Sequence, residues 1–185
     1  MTVEPWRTLK REVVFERRHL RVAQDRVQLP NGEQTDYWVL LAGQGIAVLA
    51  MDGDEVVLVR QYRHPIGVVE LELPGGGVHR GETPEEAARR ELREETGLEV
   101  GPLRELTSFY PSASRATTLV HVFMGEVVSR AEARLETQEY LEVERVPLER
   151  ALEMVVDGDI REVTTAFALL MYDHLRRKDA VKPCG

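Results

Sequence analysis

Three glutamates stand close together in GGVHRGETPEEAARRELREETGL, the segment that covers residues 76 to 98. If this segment is helical, Glu91, Glu94 and Glu95 project toward one side, because a helix advances by about 100° per residue. Burial of an unpaired carboxylate costs several kcal/mol. Hard divalent cations such as Mg²⁺ and Mn²⁺ prefer carboxylate, carbonyl and water oxygens, so a bound ion would remove that cost. The spacing therefore predicts a metal site on this side of the helix.

The residues at either end of this segment predict where the helix begins and ends. Thr83 suits the N-cap, Pro84 suits the first helical position, and Glu86 stands where it completes a capping box with Thr83. Gly97 can take the left-handed conformation that ends a helix. Glu86 also precedes Arg90 by four residues, a spacing that favours an ion pair. The sequence therefore predicts a helix between Thr83 and Gly97.

An apolar stripe along this helix separates two interpretations of the glutamates. Ala88 and Leu92 define the stripe, Glu95 falls between them in angle, and Glu91 lies just to one side. The alternative is a charged helix that is fully solvated. Such a helix gains nothing from a carboxylate on its core-facing stripe, because burying that charge is unfavourable. The pattern favours the metal-binding interpretation.

Nine residues of the segment fill every specified position of the Nudix signature, Gx5Ex7REUxEExGU, where U is a bulky aliphatic residue. They are Gly76, Glu82, Arg90, Glu91, Leu92, Glu94, Glu95, Gly97 and Leu98. The chain therefore resembles the Nudix hydrolases, and the neighbouring runs VRQYRHP and ELELPGG resemble the ADP-ribose pyrophosphatase-like branch. The resemblance implies an α/β fold, namely a Nudix-type α/β/α sandwich with a mixed sheet, and metal-dependent hydrolysis of a diphosphate bond.

Diphosphate cleavage requires that negative charge be neutralised and that a water molecule be activated, and divalent metal ions can do both. Glu91 and Glu95 are the leading candidates for metal ligands, followed by Glu94. The resemblance adds the carbonyl of Gly75, just ahead of the signature, and implies Mg²⁺ or Mn²⁺ with more than one ion per site. Glu95 and Glu94 are also candidates for direct participation in catalysis.

Four other residues of the signature are expected to have structural roles: Gly76, Glu82, Arg90 and Gly97. Glu82 either binds a metal indirectly or fixes the loop against the start of the helix, and the second role is favoured. Arg90 lies at helical spacing from Glu94 and is expected to organise carboxylates rather than to bind substrate.

The general base is expected in LETQEYLEV, residues 135 to 143. In related pyrophosphatases the base can be a glutamate on a loop after the fifth or sixth strand, which implies Glu136 or Glu139 here. Glu139 is favoured because it aligns better with the strand LEVERV that follows. For each glutamate, a solvated loop charge is the alternative.

Substrate contacts are expected on both sides of the signature. Arg63 matches the position where the resembled branch contacts phosphate, and Glu72 matches its strand-borne acidic residue. Arg60 is three residues before Arg63, so the two point to opposite faces if the strand continues. Tyr37 is a candidate wall for an adenine ring, with a core or interface role as the alternative. Arg115 adds a positive charge that would suit a more phosphorylated substrate, or it is a surface arginine.

The loop FYPSASRATT does not identify a single substrate. Members of the branch that cleave ADP-ribose usually carry a Ser-Pro-Gly-like loop followed by an acidic pair, whereas this chain has Ala113 and Ser114, then Thr117 and Thr118. ADP-ribose, cleaved to AMP and ribose 5-phosphate, is the leading expectation. FAD, NADH, dinucleoside polyphosphates and nucleotide sugars are alternatives. A minor alternative is that the chain is a non-catalytic Nudix ligand sensor.

Composition describes an ordinary globular chain. It has 185 residues, of which 43% are hydrophobic and 30% charged, enough for one good core with a small appended domain. The net charge of -8 argues against nonspecific binding to nucleic acid or to membrane surfaces. The first residues contain no apolar signal-peptide core, so a cytoplasmic location is expected.

The elements that must position these residues alternate between strands and helices. REVVFER, LRVAQDRVQL and QTDYWVLLA read as an N-terminal antiparallel sheet with a turn at Pro30-Asn31-Gly32, and GIAVLAM and EVVLVRQY read as strands joined at Asp52-Gly53. Later, LRELTSF, TTLVHVFMGEV and LEVERV read as strands, and LERALEMVVDG and VTTAFALLMYDHLRRK as helices. We expect an N-terminal dimerisation region at 1–43 and a Nudix domain at 44–185. The resemblance implies a homodimer whose active sites borrow N-terminal residues.

Overall fold

The computed structural model describes residues 3–17, 20–131, 133 and 140–178. The chain divides into two compact units. The smaller unit contains residues 1–43 and 110–119, and the larger contains residues 44–109 and 120–185. The sequence pattern places a boundary after Gly43, and the structure groups the segment 110–119 with the N-terminal residues as well.

The smaller unit is an antiparallel sheet with the strand order β1-β2-β3 in the described residues. Its strands are β1 (Arg7–Arg17), β2 (Leu20–Gln28) and β3 (Gln34–Leu41). The predicted turn between β2 and β3 is confirmed, with Gly32 at a φ of 87°. The segment 110–119 joins β3 because the Leu40 N–H donates to the Arg115 carbonyl and the Thr117 N–H donates to the Leu40 carbonyl.

The larger unit is built on a mixed sheet. Its strands are β4 (Gly45–Asp52), β5 (Glu55–Arg63), β6 (Val68–Glu72), β7 (Gly75–Gly77), β8 (Leu98–Val100), β9 (Arg104–Phe109), β10 (Val120–Arg130) and β11 (Leu141–Pro147). Through the described strands the path is β11-β5-β4-β10-β8, with β6 on β5, β7 on β4 and β9 on β10. The β4–β10 pair is parallel, whereas β4–β5 is antiparallel and closes through the predicted turn at Asp52-Gly53. The short strand β8 was not predicted.

Helices cover both faces of this sheet. They are α1 (Pro84–Thr96), α2 (Leu148–Asp157) and α3 (Val163–Arg177). Side chains of β4 alternate between two buried clusters: Ala47, Leu49 and Met51 pack with residues of α2 and α3, and Ile46, Val48 and Ala50 pack with residues of α1. The predicted α/β/α sandwich is therefore confirmed, since a strand buried on both faces needs a layer on each side. Among the described residues no helix is both long and apolar enough to cross a membrane.

Candidate active site

Helix α1 begins and ends where the sequence predicts. The Glu86 N–H donates to the Thr83 hydroxyl at 3.2 Å, and the Thr83 N–H donates to the Glu86 carboxylate at 2.8 Å. Gly97 ends the helix at a φ of 69°, where its N–H donates to the Arg93 carbonyl. The predicted ion pair between Glu86 and Arg90 is wrong. The cap occupies the Glu86 carboxylate, and Arg90 binds other carboxylates.

The buried face of α1 carries two carboxylates among apolar side chains. Its buried residues are Ala87, Ala88, Glu91, Leu92 and Glu95. Glu91 is 8% exposed and Glu95 is 4% exposed, so the carboxylates lie on the apolar stripe that the helical periodicity indicated. Glu94 lies further round and is half-buried. Burial of two acidic groups on one face is unfavourable without cations or hydrogen-bond donors close by.

Arg90 supplies part of that positive charge. Its guanidinium lies 2.9 Å from Glu82, 2.8 Å from Glu91 and 3.1 Å from Glu94. It also donates to the Gly77 carbonyl at 2.9 Å. One planar group therefore connects the loop before α1 with two of the helix carboxylates, in the organising geometry expected of it.

Glu82, in the loop before α1, connects that loop to the helix through the same guanidinium. Its carboxylate accepts hydrogen bonds from Arg90 and from the N–H of His79, the latter at 3.0 Å. The hydrogen bond from Arg90 is the main reason why the pKa of Glu82 is lowered to about 2, and the His79 N–H contributes to the shift. Glu82 is thus ionised under ordinary conditions.

The glycines ahead of α1 allow the backbone to pack directly against these carboxylates. The Gly75 N–H donates to Oε2 of Glu95 at 2.9 Å. A Cβ atom at Gly76 would lie only 2.5 Å from Cδ of Glu91. A Cβ atom at Gly75 would lie 3.0 Å from Cα of Ala47, on the central strand β4. Any side chain at either position would therefore displace its neighbours.

The donor chemistry at this turn fits a hard divalent cation. The residues that could hold one are Glu91, Glu94 and Glu95 with the backbone carbonyl of Gly75, all oxygen donors of the kind that Mg²⁺ and Mn²⁺ prefer. Within the described ranges, no group of three acidic, histidine or cysteine side chains is already arranged to hold a metal ion. Glu91 and Glu94 instead pair with Arg90. Each of these pairs uses one oxygen of the carboxylate, so the second oxygen could bind a metal ion.

Arg63, at the end of β5, lies close to Glu95 of α1. Its Nε donates to the Glu72 carboxylate at 2.7 Å, and its Nη2 donates to the second oxygen. Glu72 is 4% exposed. The hydrogen bond to Glu72 raises the pKa of Arg63, and the charges of Glu162 and Glu95 add to that effect. Arg60 instead pairs with Glu144 on β11, so the two arginines bind different carboxylates.

The remaining sequence-predicted residues are distributed as follows. In the smaller unit, the Tyr37 hydroxyl donates to the Ser114 carbonyl at 2.6 Å, and its ring packs edge-on against Trp6 with 5.8 Å between the centroids. Arg115 follows Ser114 in the same loop. Glu136 and Glu139, the candidate general bases, lie outside the described residues.

Sequence reasoning missed one pair of charged residues beside Arg63. Arg161, just before α3, donates to Oε1 of Glu70 at 2.6 Å, and Glu70 on β6 is 3% exposed. A signal was present, because Glu70 and Glu72 alternate with Leu71 and Leu73 in ELELP and must share one face of a strand. The partner is 91 residues away along the chain, which no local pattern reveals.

Comparison with known proteins finds relatives over nearly the whole chain. Residues 40–167 match the NUDIX domain, and residues 6–40 match the nucleoside diphosphate sugar hydrolase N-terminal domain. An ADP-ribose pyrophosphatase of Bacillus subtilis (strain 168) is 34% identical over 95% of this chain and 95% of its own. A methanol dehydrogenase activator of Bacillus methanolicus is 31% identical over the same shares. The crystal structure of an ADP compounds hydrolase has a TM-score of 0.86 at 22% identity and covers 98% of this chain and 100% of its own, which shows a common fold.

Proposed function

Because the chain belongs to the Nudix hydrolase family and is a Nudix pyrophosphatase, we propose that its preferred substrate is ADP-ribose, which it splits into AMP and ribose 5-phosphate. The observation that carries the proposal is the pair of buried carboxylates on α1, Glu91 and Glu95, which pack against the glycine turn of β7, with Arg63 close to Glu95. A diphosphate bound there meets both a cationic group and a set of oxygen donors.

Each residue of the site has a distinct part in this proposal. Arg63 binds a phosphate oxygen, and the buried Glu72 keeps its guanidinium in place. Glu91, Glu94, Glu95 and the Gly75 carbonyl hold Mg²⁺ or Mn²⁺, with more than one ion per site. Such ions, when bound, neutralise the diphosphate charge and activate water. Glu139 accepts a proton from that water, a role proposed from its position in the sequence.

Two of the comparisons support ADP-ribose over other diphosphate substrates. The relative from Bacillus subtilis is named for ADP-ribose, and the N-terminal match is named for nucleoside diphosphate sugars. FAD, NADH and dinucleoside polyphosphates lack a terminal sugar on the far side of the diphosphate. Nucleotide sugars such as GDP-mannose share it, and are the nearest alternative.

Product analysis tests the proposal. The wild-type protein is incubated with ADP-ribose, GDP-mannose, FAD, NADH and diadenosine polyphosphates, with Mg²⁺, Mn²⁺ or a chelator, and the products are separated by chromatography. We expect metal-dependent release of AMP and ribose 5-phosphate, with the highest kcat/KM for ADP-ribose. Equal cleavage of all substrates would contradict the ADP-ribose preference. Cleavage of none would favour a ligand-sensing role.

A matched pair of variants on α1 tests the role of the buried carboxylates. Glu95→Gln keeps the shape of the side chain but removes its charge, and we expect kcat to fall by about a hundredfold or more. Glu85→Gln is the control, because Glu85 lies on the exposed side of the same helix and pairs only with Arg89 among the described residues. Wild-type activity in Glu95→Gln would refute the proposed metal site.

The smaller unit supports a further part of the proposal, a homodimer formed through its sheet. Every residue of β1 is exposed, and its large apolar side chains include Val14 and Phe15. Among the described strands β1 pairs only with β2, so its other edge offers unpaired backbone groups. An exposed apolar edge strand invites association with another chain, and a second copy is the occupant that we propose.

Light scattering after size exclusion tests the dimer. We expect a dimer for the wild type at micromolar concentration and a monomer for Val14→Glu, because the new charge would have to be buried at the interface. Val156→Glu is the control, since Val156 is an exposed valine on α2 in the larger unit. A monomeric wild-type protein would contradict the proposal.

Tyr37 and Arg115 of the smaller unit are further candidates for substrate contacts, proposed from the sequence. The hydrogen bond from Tyr37 to Ser114 ties the ring to the loop that carries Arg115, so the two can act together on one ligand. We propose that Tyr37 supports an adenine ring and that Arg115 faces a phosphate. Tyr37→Ala should raise KM for ADP-ribose, and Tyr37→Phe should raise it less because the ring is kept and only the hydrogen bond to Ser114 is lost. An unchanged KM in Tyr37→Ala would contradict the proposed contact.

A further inference from the structure

A cavity of about 340 Å³ opens beside Arg63 in the larger unit. Its lining includes Arg63, Pro65, Ile66, Glu70 and Arg161. The volume lies within the range of small-molecule sites. Neither the metal-binding carboxylates nor the diphosphate contact proposed for Arg63 accounts for Arg161 or for Glu70.

The cavity is next to the proposed diphosphate site. Glu72, which also lines it, is only three residues ahead of Gly75, a separation of at most about 11 Å along the chain. Glu95 is close enough to Arg63 for its charge to raise the pKa of that arginine. A ligand whose diphosphate lies at Glu95 and Arg63 can therefore extend directly into the cavity.

Strand β6 holds two arginines at this cavity in the same manner. Glu70 and Glu72 are both buried, at 3% and 4% exposure, and point to one face because they are two residues apart in a strand. Glu72 binds Arg63 and Glu70 binds Arg161. The arginine side chains are 45% and 60% exposed. Each guanidinium is therefore held by a buried carboxylate and is still accessible to a ligand in the cavity.

The hydrogen-bonding groups that remain at the cavity suit hydroxyls. Arg161 donates to Oε1 of Glu70 through Nη2, and a guanidinium carries five N–H donors. Arg161 is 60% exposed, so its remaining N–H groups are accessible from the cavity. A sugar hydroxyl accepts hydrogen bonds and can pair with them.

Charge and apolar surface at the cavity favour a neutral group. Arg63 and Arg161 are balanced by Glu70 and Glu72, and Glu162 adds a further carboxylate to the lining, so a second anionic group would find no excess positive charge. Glu162 itself caps α3 by accepting from backbone N–H groups. Pro65 and Ile66 form an apolar wall, with Ile66 61% exposed, against which the C–H face of a sugar ring can pack.

We infer that this cavity binds the neutral sugar of the substrate, the half that leaves as the sugar phosphate, and that Arg161 is a specificity-determining residue that contacts its hydroxyls. The inference rests on the proposed function for the identity of the ligand. Its structural basis is the Arg161–Glu70 pair at the mouth of a cavity adjoining Arg63.

Direct binding tests this inference without relying on turnover. Calorimetric titration measures the affinity of ribose 5-phosphate and of inorganic phosphate, both with Mg²⁺ present, for the wild type, Arg161→Ala, Arg161→Lys and Arg150→Ala. Arg150 is the matched control, a half-exposed arginine that pairs with Glu153 on α2. Thermal unfolding of each variant shows whether the fold is intact.

We expect Arg161→Ala to raise the Kd of ribose 5-phosphate about tenfold to a hundredfold, because a charged donor is lost, and to leave the Kd of phosphate unchanged. Arg161→Lys should recover only part of the affinity, since lysine lacks the planar fork. Arg150→Ala should match the wild type.

Two other outcomes would overturn the inference. Equal weakening of both ligands by Arg161→Ala would make Arg161 a phosphate contact, and no weakening of either would leave it outside the site. A wild-type protein that cleaves no diphosphate, yet binds ribose 5-phosphate through Arg161, would contradict the proposed function and support the sugar cavity. The two failures are therefore distinguishable.

Discussion

Alanine at each of the three consecutive glycines of β7 should separate the packing role of the turn from its chemical role. At Gly75 a Cβ atom would lie 3.0 Å from Cα of Ala47 and against the carbonyl of Ile46. Both neighbours are backbone atoms of the central strand β4 and cannot move without disturbing the sheet. Overpacking of this kind costs about 1–3 kcal/mol. For a chain of this size that corresponds to a fall in Tm of about 2–12 °C.

At Gly76 the same change meets a different neighbour. The new Cβ would lie 2.5 Å from Cδ and 2.9 Å from Oε2 of Glu91, and this carboxylate ends a flexible side chain. Ordinary contact distances between such atoms are about 3.5–4.0 Å, so the carboxylate must move by about 1 Å. A displacement of that size at a reacting centre can lower the rate by about a hundredfold. We expect Gly76→Ala to keep its Tm and to lose most of its metal-dependent activity.

Gly77→Ala is the control of the series. In the described part of the chain, no atom lies within 4 Å of a Cβ built at Gly77, so both Tm and kcat/KM should match the wild type. Calorimetry gives Tm, and release of AMP from ADP-ribose with saturating Mg²⁺ gives kcat/KM. Full activity in Gly76→Ala would refute the reasoning about Glu91. A Tm for Gly75→Ala equal to that of Gly77→Ala would refute the packing argument.

Three further predictions concern the loop and the helix around the site. Arg90→Ala removes the guanidinium that pairs with the partly buried Glu82 and the buried Glu91, so urea titration should show a loss of about 1–3 kcal/mol in the free energy of unfolding; a loss below about 0.5 kcal/mol would contradict the role of Arg90. Hydrogen bonding to Arg90 lowers the pKa of Glu82 from 4.5 to about 2, so the stability from this group is present above pH 4.5 and is lost as the pH falls toward 2. Glu82→Gln should therefore flatten the stability profile in that range, and an unchanged slope would count against the pairing. Gly97→Ala and Gly53→Ala both force alanine to a φ of 69°, but of these two positions only Gly97 would bring the new Cβ against neighbouring backbone. We expect the free energy of unfolding to fall by about 1 kcal/mol at Gly53 and by about 2–4 kcal/mol at Gly97. Equal losses at the two positions would disprove the added clash.

Local signals predicted the elements of this fold well. The Thr83 cap, the Gly97 stop and the turns at Gly32 and Gly53 lie where the sequence indicated, because each depends on residues that are neighbours in the chain. The strand β8 was missed since three residues carry too little periodicity to detect. The ion pair expected between Glu86 and Arg90 failed because helical spacing brings two groups near but does not choose between partners. The roles of Glu139 and Glu136 stay predictions from the sequence.

The sequence alone indicated the reaction class, because nine residues within a segment of 23 match the Nudix signature, and one helix is enough to bring its carboxylates and Arg90 together. Only the tertiary structure decided the neighbours of that helix. The pairing of Arg63 with Glu72 depends on β5 lying against β6, and that of Arg161 with Glu70 joins positions 91 residues apart. Such contacts follow from strand order and helix packing, which reflect burial over the whole chain rather than the chemistry of adjacent residues. The diphosphate chemistry is therefore encoded locally, whereas the cavity proposed for the sugar exists only in the folded protein.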